Sequence, residues 1–284
     1  MTAAVFLNFK KEKAVEAADK ICDILHNMRI EILADEKYRP YYRDDDYISF
    51  EPADLAISRC DVVIAVGGDG TILEYSSCAA EYEKPLLGIN VGRLGFMASL
   101  ETDELYKLSR LVSGDHMVEN RMMLDGRIIR SDGTVEKYSA LNDICVSRPY
   151  SRLTDFDISI NDRTVSSIRA DGLIFSTPTG STAYSLSAGG PIVEPCLECI
   201  QMTPVCPQSL SSRPILFSPS HSLVVTHTAE DDSVILTVDG RLGKSIFKSD
   251  KVIISKSEKT LRLIDINGSS FYDAVNNKLM KPIK

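Results

Sequence analysis

The sequence has no run of about 18 apolar residues, and its opening, MTAAVFLNFKKEKAVEAADK, shows no basic segment followed by a long apolar one. Neither a membrane span nor an export signal is expected; a cytoplasmic protein is. Excess positive charge is also missing: 32 Lys and Arg face 40 Asp and Glu, for a net charge of -8. That argues against holding nucleic acid through a broad basic face, so an anionic ligand must be held locally, by backbone amides or a few placed cations. Histidine is scarce, at four residues with no close pair, which leaves no zinc-hydrolase pattern. The seven cysteines are odd in number and scattered. Cys196-x-x-Cys199, with Cys206 after it, has no evident fourth zinc ligand or thioredoxin-like setting, so reduced thiols are expected.

What is present is enough apolar material, 44% of 284 residues, to build one large core or two moderate ones, and two domains are expected. An apolar run at residues 3 to 9 gives way to Ala14, Ala18, Ile21, Leu25 and Met28 at steps of three or four, a strand followed by an amphipathic helix. Asp61 to Val66 reads as a strand covered on both faces. A helix from Ile72 to about Tyr82, a strand from Pro85 to Ile89 and a helix from Thr102 to Val112 stopped by Gly114 continue the alternation, which means an open, mostly parallel sheet flanked by helices.

Beyond about residue 117 short β-rich runs are separated by Asp125-Gly126, Asp132-Gly133, Asn161-Asp162 and Asp239-Gly240, the texture of a mainly antiparallel β-sandwich. Phe271, Val275 and Leu279 suggest a closing helix that returns to the first domain. The expected organisation is an α/β domain over 1–115 completed by 266–284, and an all-β domain over 116–265. Asp44-Asp45-Asp46 reads as a solvated loop. His221 and His227 share a strand face and are expected to pack or hydrogen-bond, and Met117, Met122 and Met123 to fill a core or interface.

Chemistry concentrates in two places. Gly67-Gly68-Asp69-Gly70-Thr71 follows a parallel strand directly and so sets backbone amides and a helix N-terminus at the sheet's carboxyl edge, where phosphate binds. It is neither a Walker loop, lacking the Lys-Ser or Lys-Thr pair, nor a Gly-x-Gly-x-x-Gly turn. A carboxylate among phosphates requires a reason: accepting a proton from an attacking hydroxyl, or working through Mg²⁺. The competing account is a tight turn supported by Asp69 and a helix capped by Thr71. The second place runs from Asp171 to Pro191, out of a strand into a hydroxyl-rich turn whose hydroxyls and amides suit ribose and phosphate and whose Tyr184 suits a base. A Ser/Thr capping segment is its plainer alternative.

Taken in order, Gly67 to Thr71, Gly88-Ile89-Asn90-Val91-Gly92-Arg93-Leu94-Gly95-Phe96, Asn142-Asp143, Thr177 to Pro191 and Leu210-Ser211-Ser212-Arg213-Pro214 resemble the successive motifs of NAD kinases over nearly the whole chain. The first motif is shared with diacylglycerol-type lipid kinases and loosely with phosphofructokinases; the Thr-Pro-Thr-Gly-Ser-Thr-Ala-Tyr run is far more specific. The resemblance implies phosphoryl transfer from ATP, or polyphosphate, to the 2′-hydroxyl of NAD's adenosine ribose, giving NADP. Asp69 would be the general base, and Mg²⁺ would be bound mainly through the substrate phosphates, with no metal ligand assigned to the chain.

The same resemblance implies that Gly67, Gly68, Gly70, Thr71 and Arg93 hold the phosphate donor. NAD would lie against Asp69 and Gly70, with Asn142 and Asp143 on its adenosine part. Thr182, Ala183 and Tyr184 would line the adenine and ribose pocket with Ser185, Leu186 and Ser187 nearby, and Asp171 would meet the nicotinamide side. Arg152 and Arg169 fall where the family carries basic or polar residues near phosphates, though either could be a surface ion-pair residue. Arg241 stands where many members have glutamine. A homodimer or homotetramer is implied, with no nucleic-acid or membrane partner. The other readings are a lipid kinase, resting on the glycine turn alone, and a non-catalytic dinucleotide sensor.

Overall fold

The structure is a computed structural model that describes residues 1–9, 12–42, 46–92, 95–149, 152–230, 234–268 and 271–280. Arg93, and Asp44 and Asp45 of the acidic run, lie outside the described residues. The chain divides into two compact units, one of Met1–Asn120 with Thr260–Lys284 and one of Arg121–Lys259.

The first unit runs β1 (Thr2–Leu7), α1 (Glu12–Asn27), β2 (Glu31–Asp35), β3 (Ile48–Glu51), α2 (Ala53–Arg59), β4 (Val62–Gly67), α3 (Asp69–Glu81), β5 (Leu86–Asn90), β6 (Leu100–Glu101) and α4 (Ser109–Ser113). Its strands lie in the order β3-β2-β1-β4-β5, each pair parallel. The chain moves outward from β1 through β2 to β3, then returns to lay β4 on the other side of β1. The β1–β4 pair is therefore a topological switch point, where a crevice opens beyond the strands' carboxyl ends. Every residue of β4 is buried, as a strand covered on both faces must be. Ala3, Val5 and Leu7 point to the side where Ala14, Ala18, Ile21 and Leu25 of α1 pack. On the opposite face Phe6 stacks on Tyr75 of α3, ring centroids 4.1 Å apart. Burying a side chain such as Ile21 or Leu25 fully contributes about 2 kcal/mol each.

The helix expected at Thr102 to Val112 forms as a 3₁₀ turn at Leu105–Leu108 that runs into α4. Leu105, Leu108 and Leu111, all buried, recur every three residues, the period of a 3₁₀ turn. Gly114 stops α4 in the left-handed conformation, at φ +73°.

The second unit takes up β7 (Met117–Ile129) from Arg121 and continues with β8 (Val135–Ala140), β9 (Asp143–Ser147), β10 (Thr154–Ile160), β11 (Arg163–Ala170) and β12 (Gly172–Ser176). After α5 (Tyr184–Ser187) come β13 (Ile200–Val205), β14 (Ile215–Phe217), β15 (Leu223–His227), β16 (Val234–Val238), β17 (Arg241–Ile246) and β18 (Lys251–Asp265). One antiparallel layer has the order β11-β10-β15-β18, with β7 pairing both β18 and β8. The other is β14-β13-β12-β9-β16-β17, antiparallel throughout. Phe156, Ile158, Val225 and Ile254 from the first layer share a core with Ile144, Val146, Leu173, Phe175 and Leu236 from the second, so the unit is the expected β-sandwich. From Thr260 the chain belongs to the first unit again, where Leu263 of β18 pairs parallel with Leu86, and it ends in α6 (Phe271–Val275) and the turn Asn276–Met280.

Asn161-Asp162 and Asp239-Gly240 form tight hairpin turns with positive φ at both residues, as their composition suggested. Asp125-Gly126 does not turn. It lies inside β7, where Gly126 pairs with Tyr138 and a Cβ would come 2.8 Å from Ile144 Cδ1, so this glycine makes room for a core side chain. His221 precedes β15 in the turn after Pro219, its N–H donating to the Ser218 carbonyl, while His227 is buried in the strand with Nε2 3.2 Å from the Ile246 carbonyl. Met122 and Met123 are core residues, whereas Met117 is exposed. Among the described residues no helix is long and apolar enough to cross a membrane.

Candidate active site

In the first unit the glycine turn occupies the carboxyl end of β4, at the switch point. The Asn8 N–H, just past β1, donates to the Val66 carbonyl, and the Val91 N–H, just past β5, donates to the Gly67 carbonyl. Gly67 permits this crowding: a Cβ there would lie 2.2 Å from Thr71 Oγ1 and 3.1 Å from Asn8 Cβ. Gly68 is the N-cap of α3 and no side chain caps the helix, so Thr71 is not the cap. Thr71 is instead buried, with its Oγ1 lacking a hydrogen-bond partner among the described residues.

Asp69 sits in the first turn of α3, where the helix dipole favours negative charge. Its carboxylate accepts N–H bonds from Phe96 at 2.8 Å and Met97 at 3.2 Å. Gly95 makes that approach feasible, because a Cβ there would be 2.0 Å from Asp69 Oδ1. At the start of the same loop Asn90 clamps Gly92, donating to its carbonyl and accepting from its N–H, both at 3.2 Å. Lys278 Nζ stands 3.9 Å from Asp69 Oδ2. Burial pushes the Lys278 ammonium below its ordinary pKa, against the pull of Asp69.

In the second unit a different carboxylate gathers the backbone. Asp239, in its hairpin turn, accepts N–H bonds from Leu141 at 3.0 Å, Asn142 at 2.7 Å and Asp143 at 3.0 Å. Thr177 ties the same turn from the other side, its hydroxyl donating to the Leu141 carbonyl at 2.6 Å and its N–H to the Asn142 carbonyl at 2.9 Å. Gly180 lies so close that a Cβ would be 2.0 Å from the Asn142 carbonyl oxygen. Asn142 is buried, and its Oδ1 has no hydrogen-bond partner among the described residues. Burial, and secondly the charge of Asp239, push the Asp143 carboxyl up to about 7. Asp239 is also raised by burial, while the three N–H donors and Arg241 pull the other way.

The hydroxyl-rich run folds as a 3₁₀ turn at Thr179–Thr182 followed by the single turn of α5. Tyr184 is exposed at 47%, Ser187 is exposed, and Thr182, Ala183 and Leu186 are half-buried. The Tyr184 hydroxyl is pushed up by burial first, then by Cys145, Cys206, Asp143 and Asp171. Ser185 faces inward: it is fully buried, 2.8 Å from Thr203 Oγ1, and accepts a bond from Gln201 Nε2. Gly190 closes over that trio, since a Cβ would be 2.2 Å from Gln201 Nε2. Ser185 thus anchors the turn from behind.

The arginines are placed less centrally. Arg169 is exposed on β11 with Nη1 3.6 Å from Asp155 Oδ2, in an open groove that Gln208, Ser211 and Arg213 also line. Arg152 and Arg241 are exposed. Asp171 is half-buried, its backbone paired with Val205 and Arg148. Asp239, Gln201, Thr203 and Lys278 were not singled out by their sequence. Asp239 had a usable signal, an Asp-Gly turn in which the aspartate is also an acceptor, whereas Lys278 had none.

The chain matches the model of the ATP-NAD kinase N-terminal domain over residues 4–116 and that of the ATP-NAD kinase C-terminal domain over 141–266. It is 37% identical over 283 residues to an NAD kinase of Caldanaerobacter subterraneus subsp. tengcongensis, covering 97% of both chains. With an NAD kinase of a Geobacter species it shares 35% identity over 279 residues, again 97% of both. Among solved structures it superposes on yeast NADH kinase complexed with NADH with a TM-score of 0.90 and 25% identity, over 100% of this chain and 88% of that one. An Archaeoglobus fulgidus NAD kinase in complex with ATP superposes with a TM-score of 0.75 and 26% identity over 99% of each. These likenesses lend no support to a lipid kinase or a non-catalytic sensor. With the glycine turn, the Asn142-Asp143 turn and the hydroxyl-rich run all in the family's order, the chain belongs to the NAD kinase family.

Proposed function

We propose that this enzyme transfers the terminal phosphoryl group of ATP to the 2′-hydroxyl of the adenosine ribose of NAD, with Asp69 as the general base. The observation that carries the reading is the carboxylate at the switch point, set in the first turn of α3 and held by the Phe96 and Met97 amides. The 2′-oxygen bonds to the terminal phosphorus, the bond from that phosphorus to the bridging oxygen breaks, ADP leaves, and the hydroxyl proton passes to Asp69. In such transfers the protein chiefly positions groups and offsets charge.

The donor phosphates are assigned to the glycine turn and the N-terminus of α3, with Gly67, Gly68, Gly70 and Thr71 shaping it. Arg93 is assigned to the same job from sequence alone. Asn142, whose Oδ1 is an unused acceptor, and Asp143 suit the adenosine part of NAD. Tyr184 suits stacking on a base, flanked by Thr182, Ala183, Leu186 and Ser187, and Asp171 meets the nicotinamide side. Arg152, Arg169 and Arg241 remain assigned to the phosphates and outer edge of NAD. Mg²⁺ is assigned to the site as part of the donor, held mainly through the substrate phosphates. When bound it would neutralise donor phosphate charge. Polyphosphate as a donor, a cytoplasmic location and a homodimeric or homotetrameric assembly complete the proposal.

A purified sample given NAD, Mg²⁺ and either ATP or polyphosphate should accumulate NADP. Absence of NADP with every donor would refute the activity. The likeness to an NADH kinase complexed with NADH makes the reduced dinucleotide the second acceptor to try.

A further inference from the structure

Lys278 lies in the turn that follows α6, at the far end of the chain from the glycine turn, yet the two meet within the first unit. Its ammonium is 3.9 Å from Asp69 Oδ2 and 4.1 Å from the centre of the Phe96 ring. Phe96 is the same residue whose N–H donates to Asp69 at 2.8 Å. Residues 69, 96 and 278 therefore form one cluster: a carboxylate, a residue whose amide binds it and whose ring faces the cation, and the cation itself.

Two features distinguish this pair from an ordinary surface salt bridge. The side chains are partly sheltered, at 22% for Lys278 and 29% for Asp69, so their charges are less screened than those of exposed pairs. At 3.9 Å the pair is attractive but too long for a hydrogen bond, so the ammonium spends no N–H on Asp69. A Lys head held against a ring face and beside a carboxylate, without a hydrogen bond to it, is suited to an anionic oxygen.

The site requires such a cation. A donor phosphate at the N-terminus of α3 would be repelled by the Asp69 carboxylate next to it. An ammonium at the same distance supplies an attraction of equal size and opposite sign. We propose that Lys278 binds the donor's phosphate oxygens beside Asp69 and makes the carboxylate compatible with an anionic substrate. This deepens the proposed ATP-dependent activity and rests on it. The C-terminal segment would then be part of the donor site rather than an external brace.

The test is steady-state kinetics of Lys278→Met and Lys278→Arg with each substrate varied in turn, alongside thermal melting. Lys278→Met should raise the KM for ATP about tenfold or more while the KM for NAD stays within about twofold, and Lys278→Arg should recover most of the loss because it restores the charge. A KM for ATP in Lys278→Met within about twofold of the parent's would overturn the proposal. So would equal rises in both KM values with a lowered melting temperature that arginine does not repair, the mark of a bracing residue. If the parent itself makes no NADP, the functional reading fails instead. Calorimetric binding of Mg²⁺-ATP to the parent and to Lys278→Met then decides the matter for Lys278, with weaker binding by the variant expected and equal binding overturning the idea.

Discussion

Each unit uses a carboxylate to gather the backbone of a distant loop, but the two carboxylates are kept in opposite settings. Asp69 collects two amides, from Phe96 and Met97, remains partly exposed, and has an ammonium beside it. Asp239 collects three, from Leu141, Asn142 and Asp143, raises the pKa of the neighbouring Asp143 carboxyl, and is itself pulled down by Arg241 against the effect of burial. The difference teaches which group is left over for chemistry. The oxygens of Asp239 are committed to three amides and shape the Leu141–Asp143 turn, whereas Asp69 holds two amides and stays partly exposed.

The sharpest way to break the comparison is to neutralise each carboxylate. Asp69→Asn should lower kcat by about a thousandfold, within the range for loss of a general base, and leave NAD affinity within a few-fold of the parent. Single-turnover kinetics with equilibrium NAD binding checks this, and parallel losses in both would make Asp69 a binding group. Asp239→Ala should act on the fold instead. It strands three amides whose acceptor was a charge, so urea unfolding should show a loss of about 3 kcal/mol, with a raised KM for NAD and a smaller effect on kcat. A variant with parental stability would mean that Thr177 and the Asp239 N–H, which donates to the Asp143 carbonyl, hold the Leu141–Asp143 turn without the Asp239 carboxylate.

How much of this was legible follows the range of the interactions. The strand, glycine turn and α3 are written in adjacent residues, as are the Asn161-Asp162 and Asp239-Gly240 hairpins, because period and turn chemistry act locally. The hydroxyl-rich run could be read as a site, but not which of its hydroxyls face out. Ser185 turns inward because Gln201 and Thr203 on β13 offer it partners, a fact of sheet register that no local pattern carries. Gly126 had the look of a turn residue, yet its reason is Ile144 on another strand. Lys278 was the least legible, since only the return of the chain to the first unit brings it to Asp69.

A finer test uses two glycines that look equivalent, each placing a hypothetical Cβ 2.0 Å from an oxygen. At Gly95 the oxygen is the tip of the Asp69 side chain, which can rotate away; at Gly180 it is the Asn142 backbone carbonyl, which cannot move without the turn that Thr177 ties. Gly95→Ala should therefore fold nearly as well as the parent and lose most of its kcat, while Gly180→Ala should be destabilised by about 2 kcal/mol, in the overpacking range, and bind NAD poorly. Thermal melting and kcat measured on both variants separate the cases. Equal destabilisation would mean that the carboxylate of Asp69 is as fixed as a backbone atom.

The smallest effect concerns proton binding at the second carboxylate pair. The Asp143 carboxyl is pushed up to about 7, chiefly by burial, well above an exposed aspartate. In that interval the folded state holds a proton that the unfolded chain has released, so stability falls as pH rises from about 4 and continues to fall through about 7. Between pH 6 and pH 8 the loss from this one group is about 1 kcal/mol. Asp143→Asn cannot lose a proton and keeps the N–H that Asp239 accepts, so its unfolding free energy should change less over the same interval. Urea titrations of parent and variant at the two pH values measure the difference directly. Parallel pH dependence in the two would show that Asp143 is hydrated enough to ionise as it does in the unfolded chain, and the contrast between a committed Asp239 and a burdened neighbour would then disappear.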